Sequence, residues 1–319
     1  AESIPQSPET EMLTRIRKSR GVLVNKGFAE CVTWSFMNKD RARLFGSNDN
    51  AALAIANPIS TEIDQMRPSL LPGLIEAAGK NAARGFADLA LAEIGPVFGG
   101  TKPEEQKIVA GGIRAGQSGA RHWDEKPRPA DAFDAKADAL SVLAALGVNT
   151  ENLTIARNAP SYYHPGRSGT LGLGPNVLAV FGELHPAALE ALDVKGPLVG
   201  FEVFLSAIPA ARKKASAEKP LAQLSAFQAV NRDFAFVVDK AVEADSLVKA
   251  ARAADKKLIA GASVFDVYMG KGVEDGKKSV ALTITIQPVE KTLTDAEIEA
   301  LAAQVIGNVQ QKTGGVLRG

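Results

Sequence analysis

Cysteine is nearly absent from this 319-residue sequence. Cys31 stands alone, which excludes an internal disulfide framework and fits a reducing compartment. Histidine is almost as scarce: His122, His164 and His185 lie far apart, beside Trp123, Pro165 and Pro186, without the spacing of zinc ligands. Charge of one sign is missing too. With 37 Lys and Arg against 36 Asp and Glu, the net charge is +1, so there is no global basic field of the kind a non-specific nucleic-acid binder carries, and any RNA contact must be local. No apolar run approaches the length of a membrane span. The opening AESIPQSPETEM has no initiator Met and neither the charged n-region nor the apolar h-region of a signal peptide. The expectation is a cytoplasmic protein with no metal, membrane or DNA partner.

An apolar fraction of 45% over this length supplies two ordinary cores. The division falls where IPAARKKASAEKP runs from Ile208 to Pro220 without apolar periodicity. Domain bounds of 1–210 and 221–319 follow, joined by a linker at 211–220. No repeat with a period of about 20 to 50 residues is present.

In the first domain, Ser7 and Pro8 open a helix with Met12, Ile16, Leu23 and Val24 near one face and Gly27 as its stop. The helix is cationic through Arg15, Arg17, Lys18 and Arg20. Glu30 to Phe36 alternates like a half-buried strand, Asn38 caps a short helix ending at Gly46, and Leu53 to Ala56 reads as a strand. Pro68 and Ser69 start a helix stopped by Gly85. Further strands are expected at Asp88–Gly95, Lys107–Arg114, Leu153–Arg157, Ser168–Leu173, Val177–Leu184 and Leu198–Phe204, with a helix from Asp131 to Leu146 and a short one opened by Pro186. Strands that follow one another with few helices between them indicate an α+β class, an antiparallel sheet with flanking helices.

The second domain reads as βαββαβ. Arg232–Asp239 is a strand, Asp245–Ala254 a helix, Ile259–Tyr268 a strand, and Gly270, Gly272 and Gly276 mark a hairpin. Lys278–Ile286 alternates apolar Val280, Leu282, Ile284 and Ile286 with small or polar Ser279, Ala281, Thr283 and Thr285. Thr294 and Glu297 form a capping box for a helix striped by Ile298, Leu301, Val305, Ile306 and Val309, and Val316–Arg318 supplies the last strand. This ferredoxin-like order places both helices on one face and leaves the other face open to a ligand.

FQAVNRDFAFVVD, VFDVYMGKGVEDGKKSVALTITI and TLTDAEIEAL resemble the ferredoxin-fold anticodon-binding domain that ends the beta subunit of bacterial phenylalanyl-tRNA synthetases. Upstream, GFAECVTWSF, NPISTEIDQMRPSLLPGLIEAAGKNAARG, LALAEIGPVF, YHPGRSG and GELHP are similar, in the same order, to the class II synthetase-like domain of that subunit. The resemblance covers nearly the whole chain and implies a C-terminal fragment, since the family's preceding modules have no counterpart here. It also implies a scaffold for the alpha subunit of an α2β2 enzyme and recognition of the tRNA(Phe) anticodon. ATP and magnesium are then used by the parent complex, with no cofactor or metal bound by this fragment.

A working class II core needs an Arg two residues before the second-motif Glu and a late Arg after a Gly-rich strand. Here Glu93 in LALAEIG is preceded by Leu91, and GTLGLGPNV runs into Pro175 and Asn176 without an Arg. Developing phosphate charge then has nothing to neutralise it, so no catalytic residue is assigned and no amino-acid activation is expected. The family's anticodon contacts fall on Tyr268, a stacking platform, on Asp266, an acceptor for a guanine edge, and on Ala235 and Ser279, which give room and a hydroxyl. Arg232, Lys271, Lys277 and Lys278 are added as cations that could meet loop phosphates.

Without the resemblance, Tyr268 is an edge-packing aromatic, Asp266 a turn residue, and the hairpin lysines a solvated edge. HPGRSG at His164–Gly169 reads as a structural turn and Cys31 as a small core residue. The cationic first helix reads as a subunit contact in preference to a solvated face. Two competing functions remain: an assembly module without RNA affinity, and a free-standing enzyme with a rebuilt site.

Overall fold

The structure is a computed structural model that describes residues 9–47, 50–120, 122–210, 221 and 224–318. The chain divides into two compact units, Ala1–Lys213 and Lys214–Gly319. The expected linker at 211–220, and the Ser7–Pro8 helix start, lie outside the described residues.

The elements of the first unit are α1 (Glu11–Asn25), β1 (Ala29–Glu30), β2 (Phe36–Met37), α2 (Lys39–Leu44), β3 (Gln65–Met66), α3 (Leu71–Ala82), β4 (Leu89–Phe98), β5 (Gln106–Ala115), α4 (Ala132–Ala145), β6 (Thr154–Ala156), β7 (Tyr163–Leu173), β8 (Asn176–Leu184), α5 (Pro186–Ala191) and β9 (Leu198–Phe204). Seven strands form one sheet in the order β1-β4-β5-β9-β8-β7-β6, antiparallel except for β1 against β4. Both of its faces are covered, because alternate residues of each strand enter opposite cores. Ala92, Ala110, Phe181 and Phe201 meet α1 and α4 through Leu23, Ala139, Val142 and Leu143. On the other face, Leu91, Val109, Val180 and Leu198 meet α3 and α5 through Leu71, Leu74, Ile75 and Leu189.

The apolar residues of α3 recur at Leu71, Leu74, Ile75 and Ala78, all buried, which is the spacing of a single helix face. Burying each Leu or Ile contributes about 1.5–3 kcal/mol. The Ser69 hydroxyl accepts from the Leu71 N–H at 3.0 Å, and a left-handed Gly85 at φ 91° follows the helix.

Four local readings change. α1 is capped by Thr10, and Val24 points to solvent while Val22 packs on the core. Glu30–Phe36 is not one strand: residues 31–35 form no ladder of their own and leave Val32 and Trp34 exposed. At 53–56 only an isolated bridge from Ala54 to Gln65 exists, after a short 3-10 turn. HPGRSG is not a turn but the irregular first half of β7, where pairing with β8 shifts between Tyr163 and Ser168.

The second unit contains β10 (Val230–Asp239), α6 (Ala244–Arg252), β11 (Ile259–Tyr268), β12 (Lys277–Ile286), α7 (Asp295–Thr313) and β13 (Val316–Leu317). Its sheet order is β11-β12-β10-β13, the α+β arrangement of a ferredoxin-like fold. Phe236, Val238, Val280, Leu282, Ile284 and Ile286 are buried against Leu247, Ala251, Leu301 and Val305 of the two helices. Thr294 and Glu297 cap α7 reciprocally, as the sequence predicts.

Among the described residues of the first unit, Glu202 is 1% exposed and has no cation paired with it. Glu202 of β9 accepts hydrogen bonds from Ser69 Oγ at 2.7 Å, the Leu70 N–H at 3.3 Å and Tyr162 Oη at 3.1 Å. Burial pushes it above its ordinary 4.5, and the three donors only partly offset that. A carboxyl raised on folding gives stability that is full below 4.5 and is lost as pH rises through the folded value. In Glu202→Gln the amide oxygen keeps two donors and the amide N–H can donate to the Tyr162 oxygen. Wild type is therefore expected to lose stability relative to Glu202→Gln as pH is raised from about 4 to 8, read from denaturant midpoints. A pH-independent difference would refute this.

Candidate nucleic-acid interface

Two places in the chain hold chemistry worth weighing. In the first unit, Glu93 and Arg67 form a buried pair, with Arg67 Nη1 2.7 Å from Glu93 Oε1 and both side chains 5% exposed. Thr33 closes the network: its hydroxyl donates to Glu93 Oε2 at 2.6 Å and accepts from Arg67 Nη1 at 3.0 Å, while its N–H also donates to Glu93 at 3.2 Å. Arg67 Nε donates to the Pro96 carbonyl at 3.0 Å. Gly73 and Gly95 permit this, since a β-carbon would meet Thr33 Oγ1 at 2.5 Å and Arg67 Nη2 at 2.8 Å. The pinned Thr33 lies between Val32 and Trp34, 92% and 69% exposed, at the edge of a cleft of about 390 Å³ that Arg41, Glu76 and Met37 also line. Cys31 is half-buried, and burial together with the Glu93 and Glu30 charges pushes its thiol up, away from the reactive thiolate.

In the second unit, the face of the sheet away from α6 and α7 carries Ser279, Ala281, Thr283 and Thr285 of β12. Register sets their neighbours. Ser279 lies between Tyr268 of β11 and Val237 of β10, and Ala281 between Asp266 and Ala235. Strand spacing is about 4.8 Å, so the four side chains expected to contact an anticodon occupy two adjacent rows. Small residues make the floor, with an aromatic ring and a carboxylate at one edge.

A β-bulge decides which face Asp266 and Tyr268 occupy. Val264 opposes Leu282, on the helix side; strict alternation would keep residues 266 and 268 there as well. The register shifts between Val264 and Asp266, so Asp266 opposes Ala281 and Tyr268 opposes Ser279, both on the open face. The additional residue in the shift is Phe265. Bulges re-aim side chains in this way.

The Tyr268 ring is 40% exposed and held from two sides. Its hydroxyl donates to the Lys271 carbonyl at 3.3 Å, and a β-carbon at Gly270 would meet it at 2.5 Å, so the hairpin closes on the ring only because residue 270 has no side chain. Above the ring lies Arg318, its guanidinium carbon 5.5 Å from the centroid. At the far end of the face, Thr283 donates to Asp233 at 2.6 Å and Thr285 to Asn231 at 2.9 Å, which ties each threonine hydroxyl to β10.

Residues 2–205 match the family described as phenylalanyl tRNA synthetase beta chain CLM domain, and residues 225–318 match the ferredoxin-fold anticodon binding domain. The chain belongs to the phenylalanyl-tRNA synthetase beta chain family. It is 54% identical to the phenylalanine–tRNA ligase beta subunit of Bradyrhizobium diazoefficiens, over 97% of this chain and 39% of that protein. The corresponding subunit of Paramagnetospirillum magneticum is 51% identical over 99% of this chain and 40% of its own length, and that of Rhodospirillum rubrum 50% over 99% and 39%. The chain thus spans about two fifths of the length of these curated relatives.

Within this beta-chain sequence, Ala235, Asp266, Tyr268 and Ser279 come together, whereas the proposed cations do not. Arg232 opposes Ile284 on the helix side and pairs with Glu299 at 3.1 Å. Lys277 pairs with Glu274 at 2.7 Å, Lys278 opposes Val238 and is engaged within the chain, and Lys271 sits in the hairpin. The cation that does reach Tyr268 is Arg318, which sequence reading passed over as the end of the last strand; its only signal was a basic residue closing that strand. In the first unit the cationic helix is largely committed internally: Arg15 Nη1 donates to the carbonyls of Leu205 and Ile208, Arg17 pairs with Glu9 and Arg20 with Glu30. Among the described residues no group of three or more His, Cys, Asp or Glu is arranged to hold a metal ion, and no helix is long and apolar enough to cross a membrane.

Replacing Arg67 by Met strands Glu93 as an unpaired buried charge and should destabilise the first unit by about 3–5 kcal/mol in urea unfolding. Adding Glu93→Gln should recover much of that loss. A single-variant cost below about 1 kcal/mol would mean that Arg67 does not anchor Glu93.

Proposed function

We propose that this chain supplies the anticodon-reading and scaffolding part of a cytoplasmic phenylalanine–tRNA ligase, and that the amino acid is activated on a partner alpha subunit in an α2β2 assembly. The observation that carries the reading is the gathering of Tyr268, Asp266, Ala235 and Ser279 on the one sheet face that the second unit leaves uncovered. An unpaired anticodon base splays readily from its loop and stacks on an aromatic ring. A carboxylate one row away then accepts from the N1–H and N2–H groups of a guanine, which adenine cannot match. The small floor of Ala235, Ala281 and Ser279 lets bases lie close to the sheet.

The first unit does not fit ATP or its magnesium. Glu93, the residue that survives from the second motif, is spent on Arg67 and Thr33, Leu91 stands where a phosphate-binding Arg is needed, and Leu70, Leu71, Leu74 and Ile75 fill the space over that sheet face. In this reading ATP and magnesium act on the partner subunit, and the beta-chain unit holds that subunit in place.

In the complex with the alpha subunit, Tyr268→Ala removes a stacking platform worth about 1–3 kcal/mol, so tRNA(Phe) should bind roughly 5- to 150-fold more weakly while the assembly stays intact. Unchanged binding would favour a chain that serves assembly alone. Purified by itself, the chain should give no ATP–pyrophosphate exchange with phenylalanine. A clear signal from clean protein would overturn the non-catalytic reading.

A further inference from the structure

The contact that the Arg318 side chain makes is a cation–π contact with the Tyr268 ring. The main chain of this residue is anchored beside the site, because the Arg318 N–H donates to the Ala235 carbonyl at 2.8 Å. From there the side chain runs out over the open face. The guanidinium carbon stands 5.5 Å from the Tyr268 ring centroid, and Nη2 lies 3.7 Å from where a β-carbon on Gly272 would be. Gly272 adopts φ 90°, a conformation that keeps the hairpin free of a side chain at this point. Among the described residues no carboxylate lies within ion-pairing distance of Arg318, whereas Arg232 and Lys277 each have one. A solvent-facing guanidinium that meets a ring in place of a carboxylate keeps its hydrogen-bond donors available. Ser279, opposite Tyr268 in the register, is only 4% exposed, and the neighbouring groove of about 500 Å³ along Val237, Val316 and Gly272 is lined also by Asp239 and by Lys277 paired to Glu274, so the donors of Arg318 are a cationic group left over at this end of the face.

We propose that Arg318 clamps the backbone phosphate of the nucleotide whose base stacks on Tyr268, an inference that rests on the reading of the open face as an anticodon site. In the free protein the guanidinium rests on the ring. When a base takes the ring face, the guanidinium turns away from the ring and pairs with the phosphate of that nucleotide. Arg suits both positions: its planar group stacks on an aromatic ring and presents a fork of donors to phosphate oxygens. The net charge of the protein contributes little to RNA affinity, so one local cation accounts for a measurable share of the salt dependence.

The test measures tRNA(Phe) binding to the complex between about 50 and 300 mM salt for wild type, Arg318→Ala, Arg318→Gln, Arg318→Lys and Tyr268→Ala. Arg318→Ala and Arg318→Gln should each bind about tenfold more weakly and lower the slope of log K against log salt by about 0.7, the value of one single-strand phosphate contact. Arg318→Lys should keep the slope. Lys keeps a positive charge at comparable reach while Ala and Gln both lose it, so an effect shared by Ala and Gln and absent from Lys is one of charge. An unchanged slope in both neutral variants, or tighter binding by Arg318→Ala because the guanidinium merely covers the ring, overturns the proposal. Weakening by Tyr268→Ala alone leaves the anticodon reading standing without the clamp. No effect from Tyr268→Ala or any Arg318 variant removes both.

Discussion

A β-sheet can receive a ligand only on a face that its own chain does not need to bury, and this constraint separates the two units. In the first, alternate residues of β4, β5, β8 and β9 feed cores on both sides, under α1 and α4 on one and α3 and α5 on the other. Helices of the same chain occupy both faces of that sheet. In the second, α6 and α7 share one face, and the other carries Ser279, Ala281, Thr283 and Thr285 along β12, with Val237 and Val316 beside them.

The closed unit holds a buried charge in a fixed network. The charge of Glu93 is balanced by Arg67, and its second oxygen accepts from the Thr33 hydroxyl and N–H. Taking two charges out of water is expensive, and such a pair is tolerable only when the remaining hydrogen bonds are made. The bonds made here also hold the segment from Cys31 to Trp34 against α3, with Gly73 providing the clearance. A carboxylate so engaged organises a loop and is not free to bind a ligand.

Most of the element order was legible from residues. Alternation in Lys278–Ile286, the Thr294–Glu297 box and the 3.6-residue stripe of α3 each belong to a single element, and local physics suffices for them. The misreadings share one cause. Glu30–Phe36 alternates like a strand, but Thr33 is drawn out of the ladder by Glu93, sixty residues away; HPGRSG contains turn residues, but it lies inside β7 as an irregularity, flanked by Tyr163 opposite Leu184 and Ser168 opposite Gly182 of β8. Arg15 looked like part of a cationic surface and instead satisfies carbonyls nearly two hundred residues distant.

For the open face, composition and spacing were enough to place Asp266 and Tyr268 on the same side of a strand, because side chains two apart always share a side. Which side that was depended on the bulge at Phe265, and a bulge is a property of pairing between strands that neither strand displays alone. Likewise the chain could show that Arg318 was a cation near its end, but only the antiparallel return of β13 onto β10 carries it to the Tyr268 ring, fifty residues earlier in sequence. Periodicity is local and can be read along a chain; register and reach arise when separate strands pair.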